Sequence, residues 1–232
     1  MTTDHIRSVM CGLHYGVGLE ELQMFQTLES FSRCNKVGLV KTILRSHSHK
    51  SRAVRLAAQL CLHYSIFEVP LWTNILKQLL TFQMVDFLYE VLVRLLPVSA
   101  LWQDRSIGSI WKAALLAPML SATRPVTGPQ LDDCLRALLL LHRFPLIQDL
   151  DLAAFCKCFL QLDLPVCAAA CAQLIPSPDT RTACLTKALT TTTFQQQLQQ
   201  WTEQASTDPL LQQLLLLAQN LNSNTRGAVA VT

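Results

Sequence analysis

Cysteine and histidine are the residues of this sequence that could bind a metal ion, and their spacing argues against a metal site. Cys156 and Cys158 lie about 200° apart around a helix, which keeps them out of a common ligand shell. Cys167 and Cys171 share a helix face, but alanines surround them, and small residues favour close helix packing. No C-x-x-C pair with a following H-x-x-x-H pair occurs. We therefore expect no metal ion and no cofactor.

The histidines and glycines give no clearer sign of a catalytic or ligand site. His47 and His49 fall in a predicted polar loop and His63 on a polar helix stripe, without further ligands. We expect them to be solvated. The glycine-rich segment 12–18 lacks both G-x-G-x-x-G and the P-loop lysine, so it is predicted to be a loop. No G-x-S-x-G nucleophile motif occurs either.

The acidic pairs and the tryptophans also have structural explanations. Asp132 with Asp133, and Asp149 with Asp151, fall in the first turns of predicted helices, where carboxylates favour the positive end of the helix dipole. The tryptophans are expected mainly in the core, although an exposed one could anchor a partner. They are Trp72, Trp102, Trp111 and Trp201. We therefore expect no enzyme.

Helices are predicted along most of the chain, because no convincing alternating strand pattern occurs. Several are apolar apart from one narrow polar stripe, which is typical of helices packed on more than one side. One such stripe consists of Arg52, Arg55, Gln59 and His63. The predicted helices cover residues 20–32, 37–45, 48 or 51 to 64, 82–96, 106–116, 131–143, 149 or 151 to 162, 166–174, 177–189, 194–205 and 209–221, with another that begins at Pro70.

This succession of short helices predicts an all-α fold. It is either an α-solenoid of short antiparallel helix pairs or a compact multi-helix bundle. We expect a loose N-terminal segment over 1–19, a single solenoid-like domain over 20–221 and a disordered tail over 222–232. Since an open solenoid end exposes apolar surface, self-association is also expected.

Composition limits the class of protein and its compartment. Half of the 232 residues are hydrophobic and 15% are charged, which excludes a disordered chain. No N-terminal secretory signal and no uninterrupted apolar run of about 18 residues is visible. Nine cysteines without a secretory context indicate reduced, buried thiols. We therefore expect a protein of the cytoplasm and nucleus that does not span a membrane.

Positive charge is concentrated between residues 33 and 55, which hold seven of the 19 Lys and Arg residues. No acidic residue occurs between Ser30 and Phe67. Such a stretch is a solvated surface, a contact for an acidic protein, or a nucleic-acid contact, and the lack of interleaved aromatics weakens the last interpretation. The candidate partner-binding residues are Arg45, Lys50, Arg52 and Arg55.

Between His47 and Arg181, collinear blocks of residues resemble the C-terminal helical region of the Rough deal family of kinetochore-associated proteins. The first blocks are His47-Ser48-His49, Ala53-Val54-Arg55-Leu56, Leu60-Cys61-Leu62 and Leu71-Trp72. The middle blocks are Leu101-Trp102-Gln103, Trp111 and Leu120-Ser121-Ala122. The last are Asp149-Leu150-Asp151-Leu152, Gln161-Leu162-Asp163-Leu164-Pro165 and Ala170-Cys171.

The resemblance implies a scaffold role in mitosis. Members of this family form the Rod subunit of the Rod–Zwilch–Zeste-white-ten complex at the outer kinetochore. The complex supports the spindle assembly checkpoint through Mad proteins and recruits dynein–dynactin through Spindly. The resemblance thus implies Zwilch and Zeste-white ten as partners, and the kinetochore and spindle as the mitotic location. The family also resembles vesicle-tethering subunits, so a tethering module at the endoplasmic reticulum is the alternative.

Overall fold

The computed structural model of the chain describes residues 3–24 and 26–216, and within them every regular element is a helix. This confirms the predicted all-α class, and the packing of consecutive helices in pairs is consistent with an α-solenoid or a helical bundle. The helices are α1 (Thr3–Glu20), α2 (Leu28–Arg33), α3 (Lys36–His47), α4 (Ser51–His63), α5 (Val69–Thr81), α6 (Val85–Leu95), α7 (Ser99–Trp102), α8 (Arg105–Ser121), α9 (Gly128–Leu141), a 3-10 turn (Ile147–Asp149), α10 (Leu152–Gln161), α11 (Pro165–Ala172), α12 (Pro178–Leu189) and α13 (Phe194–Gln204).

The chain divides into two compact units, Met1–Ile110 and Trp111–Thr232. The single domain expected over 20–221 stays a prediction. Residues 209–216 are helical, as predicted, whereas the rest of that predicted helix and the expected tail over 222–232 lie outside the described residues. No helix in the described part of the chain has both the length and the apolar character needed to cross a membrane.

The first unit begins with a helix where the sequence predicts a loose segment. Residues Thr3–Glu20 form α1, so the prediction of a loop at the glycines is wrong. These glycines permit close packing: a Cβ at Gly12 would lie 2.7 Å from Leu28 Cδ1, and one at Gly18 would lie 2.8 Å from Leu56 Cδ1. The predicted helix over 20–32 is also broken, because α1 ends at Glu20 and α2 begins only at Leu28.

Helices α3 to α6 of the first unit pack in sequence, each against the next. Helix α4 confirms the predicted narrow stripe, since Arg52, Arg55 and His63 are exposed and Gln59 is half-buried among buried apolar residues. The helix begins at Ser51, the second of its two predicted starts. Lys50 occupies the cap position and makes no side-chain cap hydrogen bond.

Four described helix ends contain a non-glycine residue in the left-handed region. Their φ angles are 61° at Gln23, 53° at Ser65, 54° at Gln83 and 58° at Asp163. In each case the next amide donates to a carbonyl five residues earlier, as from Ile66 to Cys61 at 2.8 Å. This is the Schellman arrangement, in which glycine is the usual residue. It lets the chain reverse between short helices although the sequence has only seven glycines.

The tryptophans lie in the core, as predicted, with exposures of 8% or less. Two of them also fix loops in the first unit. Trp72 Nε1 donates to Ile66 O at 2.8 Å, and Trp102 Nε1 donates to Leu96 O at 3.1 Å. Both bonds span six residues, and both tryptophans follow a leucine. The Leu-Trp pairs thus tie the start of a helix to the preceding loop, an arrangement that periodicity alone does not reveal.

Helix α11 forms the centre of the second unit. All eight of its residues are buried, and it contacts α9, α10, α12 and α13. Its alanines and cysteines therefore serve close packing, as predicted. Helix α13 lies at the surface, also as predicted, because only Phe194 and Trp201 of this helix are buried.

Candidate protein-interaction surface

Within the basic stretch, the charge of Lys36 is directed into the protein. Lys36 Nζ donates to the carbonyl oxygens of Ser32 at 3.3 Å and Cys34 at 3.1 Å, and also to Phe31 O. It lies 4.6 Å from the ring centroid of Phe31 and 5.2 Å from that of Tyr64. A cation at a helix C-terminus and over aromatic rings stabilises the fold. Lys36 is therefore not available to a partner.

Acidic residues from outside the stretch neutralise three more of its charges. The N–O distances are 2.8 Å for Arg33–Glu29, 2.9 Å for Lys41–Glu68 and 3.3 Å for Arg52–Glu21. Every partner in these pairs is at least 42% exposed, so each pair contributes only about 0–1 kcal/mol to stability. The folded surface is thus less basic than the acid-free run of sequence implies.

The four candidate residues fall into two groups. Arg45 lies in the last turn of α3 and Lys50 at the start of α4; both are exposed, and neither side chain has a hydrogen bond or ion pair among the described residues. Arg52 and Arg55 lie one turn apart on α4. Arg52 pairs with Glu21, and the Arg55 guanidinium lies 4.8 Å from the ring centroid of Phe87. Arg45 and Lys50 therefore keep unpaired charges, whereas contacts within the fold orient the guanidinium groups of Arg52 and Arg55.

Arg52 and Arg55 line a groove between α1 and α4, which we call the α1–α4 groove. It consists of two adjoining depressions of about 360 Å³ each. The first is lined by His14, Val17, Gly18, Glu21, Arg52, Arg55, Leu56 and Gln59. The second is lined by His14, Tyr15, Gln59, Leu62, His63, Phe67 and Arg94. Sequence patterns do not predict this groove, because one of its two helices, α1, falls in the segment predicted to be loose.

Two contacts along the groove set the register of α1 against α4. Arg52 pairs with Glu21 at one end of α4, and the Tyr15 hydroxyl donates to Gln59 O at 3.4 Å two turns later. The two helices therefore run in opposite directions. Burial raises the pKa of Tyr15 to about 12, so its hydroxyl keeps its proton at neutral pH.

The histidines do not form a metal site in the described residues. The rings of His47 and His49 are 6.3 Å apart, and no group of three or more His, Cys, Asp or Glu side chains suited to a metal ion occurs there. His63 packs against aromatic rings instead, 4.7 Å from Tyr64 and 5.6 Å from Tyr15 between centroids.

The cysteines are free thiols, and five of the nine are buried. Cys156 Sγ donates to Ala168 O at 3.5 Å and Cys171 Sγ to Leu152 O at 3.8 Å, so the two thiols link α10 and α11 reciprocally. Hydrogen bonds with the thiols of Cys171 and Cys184 lower the pKa of Cys156. Spacing in the sequence does not predict the cluster of Cys156, Cys171 and Cys184, because these cysteines come from three different helices.

The acidic pairs differ in their roles. Asp151 caps α10 as predicted, accepting a hydrogen bond from Ala154 N at 3.0 Å. The prediction is wrong for Asp132 and Asp133, because α9 begins at Gly128 and Thr127 and Gln130 form its capping box. Burial and the charge of Asp132 raise the pKa of Asp133.

Comparison with known proteins identifies a family and two relatives that match most of the chain. The sequence model of the Rough deal protein C-terminal region matches residues 2–211. Human kinetochore-associated protein 1 is 34% identical over 178 residues, which is 77% of this chain and 8% of the relative. Its mouse counterpart is 35% identical over 176 residues, which is 76% of this chain and 8% of the relative.

The family match includes parts of both compact units, through residue 211, and the chain spans less than a tenth of the length of these relatives. It also extends beyond the region over which the sequence blocks show the resemblance, since it includes α1 and α12. The chain belongs to the family of the Rough deal protein C-terminal region.

Proposed function

We propose that this chain is a non-enzymatic scaffold segment of the kinetochore that acts through protein–protein contacts in mitosis. The observation that carries the proposal is the family match over residues 2–211, together with relatives named kinetochore-associated protein 1. In this proposal the chain belongs to the cytoplasm and nucleus in interphase and to the kinetochore and spindle in mitosis.

The resemblance to the Rod subunit supplies the partners of this proposal. Zwilch and Zeste-white ten are the direct candidates. Spindly, dynein–dynactin and the Mad proteins are indirect ones, through checkpoint support and motor recruitment. Relatives named for the kinetochore favour this role over a vesicle-tethering module at the endoplasmic reticulum.

The surface of the first unit supports a contact with an acidic protein. Arg45 and Lys50 keep exposed charges without a partner among the described residues, and Arg52 and Arg55 lie close by on α4. Exposed charges of one sign attract a partner of opposite charge and accelerate association. We propose these four residues as the contact for an acidic protein surface.

Imaging and co-purification of the full 232-residue chain test the kinetochore proposal. A tagged chain is expressed in mitotic cells, and its recovery at kinetochores is compared with that of the tag alone. We expect kinetochore signal and co-purification of Zwilch or Zeste-white ten. A chain that is folded by circular dichroism but gives neither result contradicts the proposal, and interphase membrane puncta without kinetochore signal support the tethering alternative.

A further inference from the structure

The lining of the α1–α4 groove has the spacing that a docked helix requires. From α1 and the residue directly after it, the lining residues of the first depression are His14, Val17, Gly18 and Glu21; from α4 they are Arg52, Arg55, Leu56 and Gln59. Each set follows the same i, i+3, i+4, i+7 pattern. Rows with this spacing on two adjacent helices form the kind of groove into which the side-chain ridge of a third helix packs.

The groove is long enough for a short helix. Along α4 it extends from Arg52 to His63, because the second depression continues past Gln59 to Leu62 and His63. Eleven helical steps correspond to about 16 Å, or three helical turns. An occupant helix of about this length would bring two or three anchor residues into the groove.

The floor and one wall of the groove are apolar. Leu56 is buried beneath it, and the absence of a side chain at Gly18 brings α1 close to Leu56. Val17 remains 61% exposed at the wall. Val17 also continues an exposed apolar row on α1, in which Leu13 is 56% and Met10 is 63% exposed. Three large exposed apolar residues on one helix face indicate a contact surface.

The rim of the groove is basic. Three arginines, Arg52, Arg55 and Arg94, contribute to the lining, whereas Glu21 is its one acidic residue among the described residues. Glu21 is paired with Arg52, and Phe87 orients the Arg55 guanidinium from below. Arg94 is paired with Glu90 at 2.7 Å, so Arg55 is the lining arginine whose charge no described carboxylate neutralises, and it lies beside the apolar wall. An occupant that complements both parts needs apolar anchors and flanking carboxylates.

We propose that the α1–α4 groove binds an amphipathic helix of a partner protein, with apolar residues at i, i+3 or i+4 and i+7 and with acidic residues beside them. This inference rests on the proposed interaction role and specifies the partner class of the basic surface. Arg52 and Arg55 contact the acidic flank, and Val17 and Leu56 contact the apolar row. Arg45 and Lys50 lie outside the groove lining and attract the partner at longer range.

A synthetic helix tests this proposal directly. The probe is a fluorescent peptide of about 18 residues with leucine at the anchor spacing and glutamate at the flanks, titrated into the full chain while its anisotropy is recorded. We expect saturable binding that weakens by about tenfold with Val17→Glu, since a carboxylate then enters the apolar wall. The double variant Arg52→Glu/Arg55→Glu weakens it similarly. Both changes are at exposed positions, so circular dichroism should show an unchanged fold.

Matched controls distinguish peptide binding in the groove from nonspecific binding. Leu189→Glu changes another exposed leucine, 45% exposed on α12, and should leave binding unchanged. A peptide with lysine in place of each glutamate should not bind. Absence of binding, equal binding by the lysine peptide, or equal binding by the Val17→Glu variant overturns the proposal.

Two other occupants would also overturn it. The first is a single-stranded oligonucleotide of about 20 nucleotides. If it binds through Arg52 and Arg55 while the acidic peptide does not bind, the groove is a nucleic-acid surface instead. A chain that dimerises through Val17, with no peptide binding, identifies a second copy as the occupant. Kinetochore recruitment is measured separately in cells, so failure of the peptide test is distinguishable from failure of the proposed function.

Discussion

Arg52 and Glu21 lie 31 positions apart in the sequence, and in the fold their side chains meet at 3.3 Å. The pair joins the start of α4 to the residue that follows α1, and it forms one end of the α1–α4 groove. The Arg52 side chain is 80% exposed, so solvent screens the pair. Its main effect is therefore to orient a guanidinium at the groove rim rather than to stabilise the fold.

Charge reversal at Arg45 and Lys50 should weaken association with acidic partners. In Arg45→Glu/Lys50→Glu, two unpaired positive charges become negative. Since an exposed pair contributes about 0.2–1 kcal/mol, we expect recovery of Zwilch or Zeste-white ten from mitotic extract to fall by about twofold to thirtyfold. Quantitative mass spectrometry of the co-purified proteins measures this loss.

The salt dependence of the same recovery tests whether charge is the cause. Exposed charges are screened within about 10 Å at 0.1 M salt, so recovery should decline as salt is raised and the double variant should show a shallower decline. Lys77→Glu, an exposed change on α5, serves as the matched control. Recovery that is independent of salt, or equal loss with Lys77→Glu, argues against an electrostatic contact.

The sequence predicts the helical class and much of the packing because these depend on local periodicity. The stripe of Arg52, Arg55 and His63 follows from apolar spacing alone. The buried tryptophans follow from their size and apolar surroundings. Helix α1 was not predicted because Gly12, Gly16 and Gly18 have low helix propensity. In the folded chain, tertiary contacts of α1 override this low propensity.

The candidate site was only partly predictable for a related reason. The run between residues 33 and 55 contains no acidic residue, yet Glu21 and Glu68 approach it in space. Neither approach can be deduced without knowing that α1 and the start of α5 pack beside the stretch. The groove likewise depends on the register of α1 against α4, which single-sequence patterns do not encode.

Glycine-to-alanine substitutions in α1 should have opposite effects at two positions. A Cβ at Gly16 meets nothing within 4 Å, so Gly16→Ala should raise the free energy of unfolding by about 0.5–1 kcal/mol through helix propensity. At Gly18 the Cβ would lie 2.8 Å from Leu56 Cδ1 and 3.3 Å from Cδ2. Because Leu56 is buried, Gly18→Ala should instead destabilise by about 1–2 kcal/mol.

Urea unfolding followed by circular dichroism measures both changes. The two variants carry the same substitution on the same helix, so each is the control for the other. If Gly18→Ala stabilised the chain as much as Gly16→Ala does, the close packing of α1 against Leu56 would be wrong.

Replacing Gln83 by glycine should stabilise the chain. Gln83 lies two residues after the end of α5 with φ at 54°, where an L residue has an energetic cost of about 1 kcal/mol that glycine avoids. We expect Gln83→Gly to raise the free energy of unfolding by about that amount in a urea titration. Asp163→Gly should gain less, because the Asp163 carboxylate accepts a hydrogen bond from Thr193 Oγ1 at 2.9 Å.

A helix-interior substitution controls for the general effect of glycine. Lys77 is exposed within α5, so Lys77→Gly should destabilise by about 1 kcal/mol through lost helix propensity. Destabilisation by Gln83→Gly of the same size would mean that residue 83 does not adopt the left-handed conformation.

The stability of the chain should fall in alkaline solution, and the buried thiol of Cys61 should account for part of the fall. Burial, with a smaller effect of the Glu68 charge, raises the pKa of Cys61 from 9.0 to about 12. Below pH 9 the thiol is protonated in both states, so it adds no pH dependence. Between pH 9 and 12 the unfolded chain loses this proton and the folded chain keeps it, so stability falls as pH rises.

Urea unfolding under reducing conditions at pH 8, 9, 10 and 11 measures this slope. One thiol contributes up to about 1.4 kcal/mol per pH unit, and Tyr15 and Cys134, with pKa values raised to about 12 and about 11, act in the same direction. Cys61→Ala should therefore make the alkaline slope shallower. Val54→Ala, another buried change on α4, should lower stability equally at every pH. Equal slopes for the wild type and Cys61→Ala would contradict a buried, protonated thiol at this position.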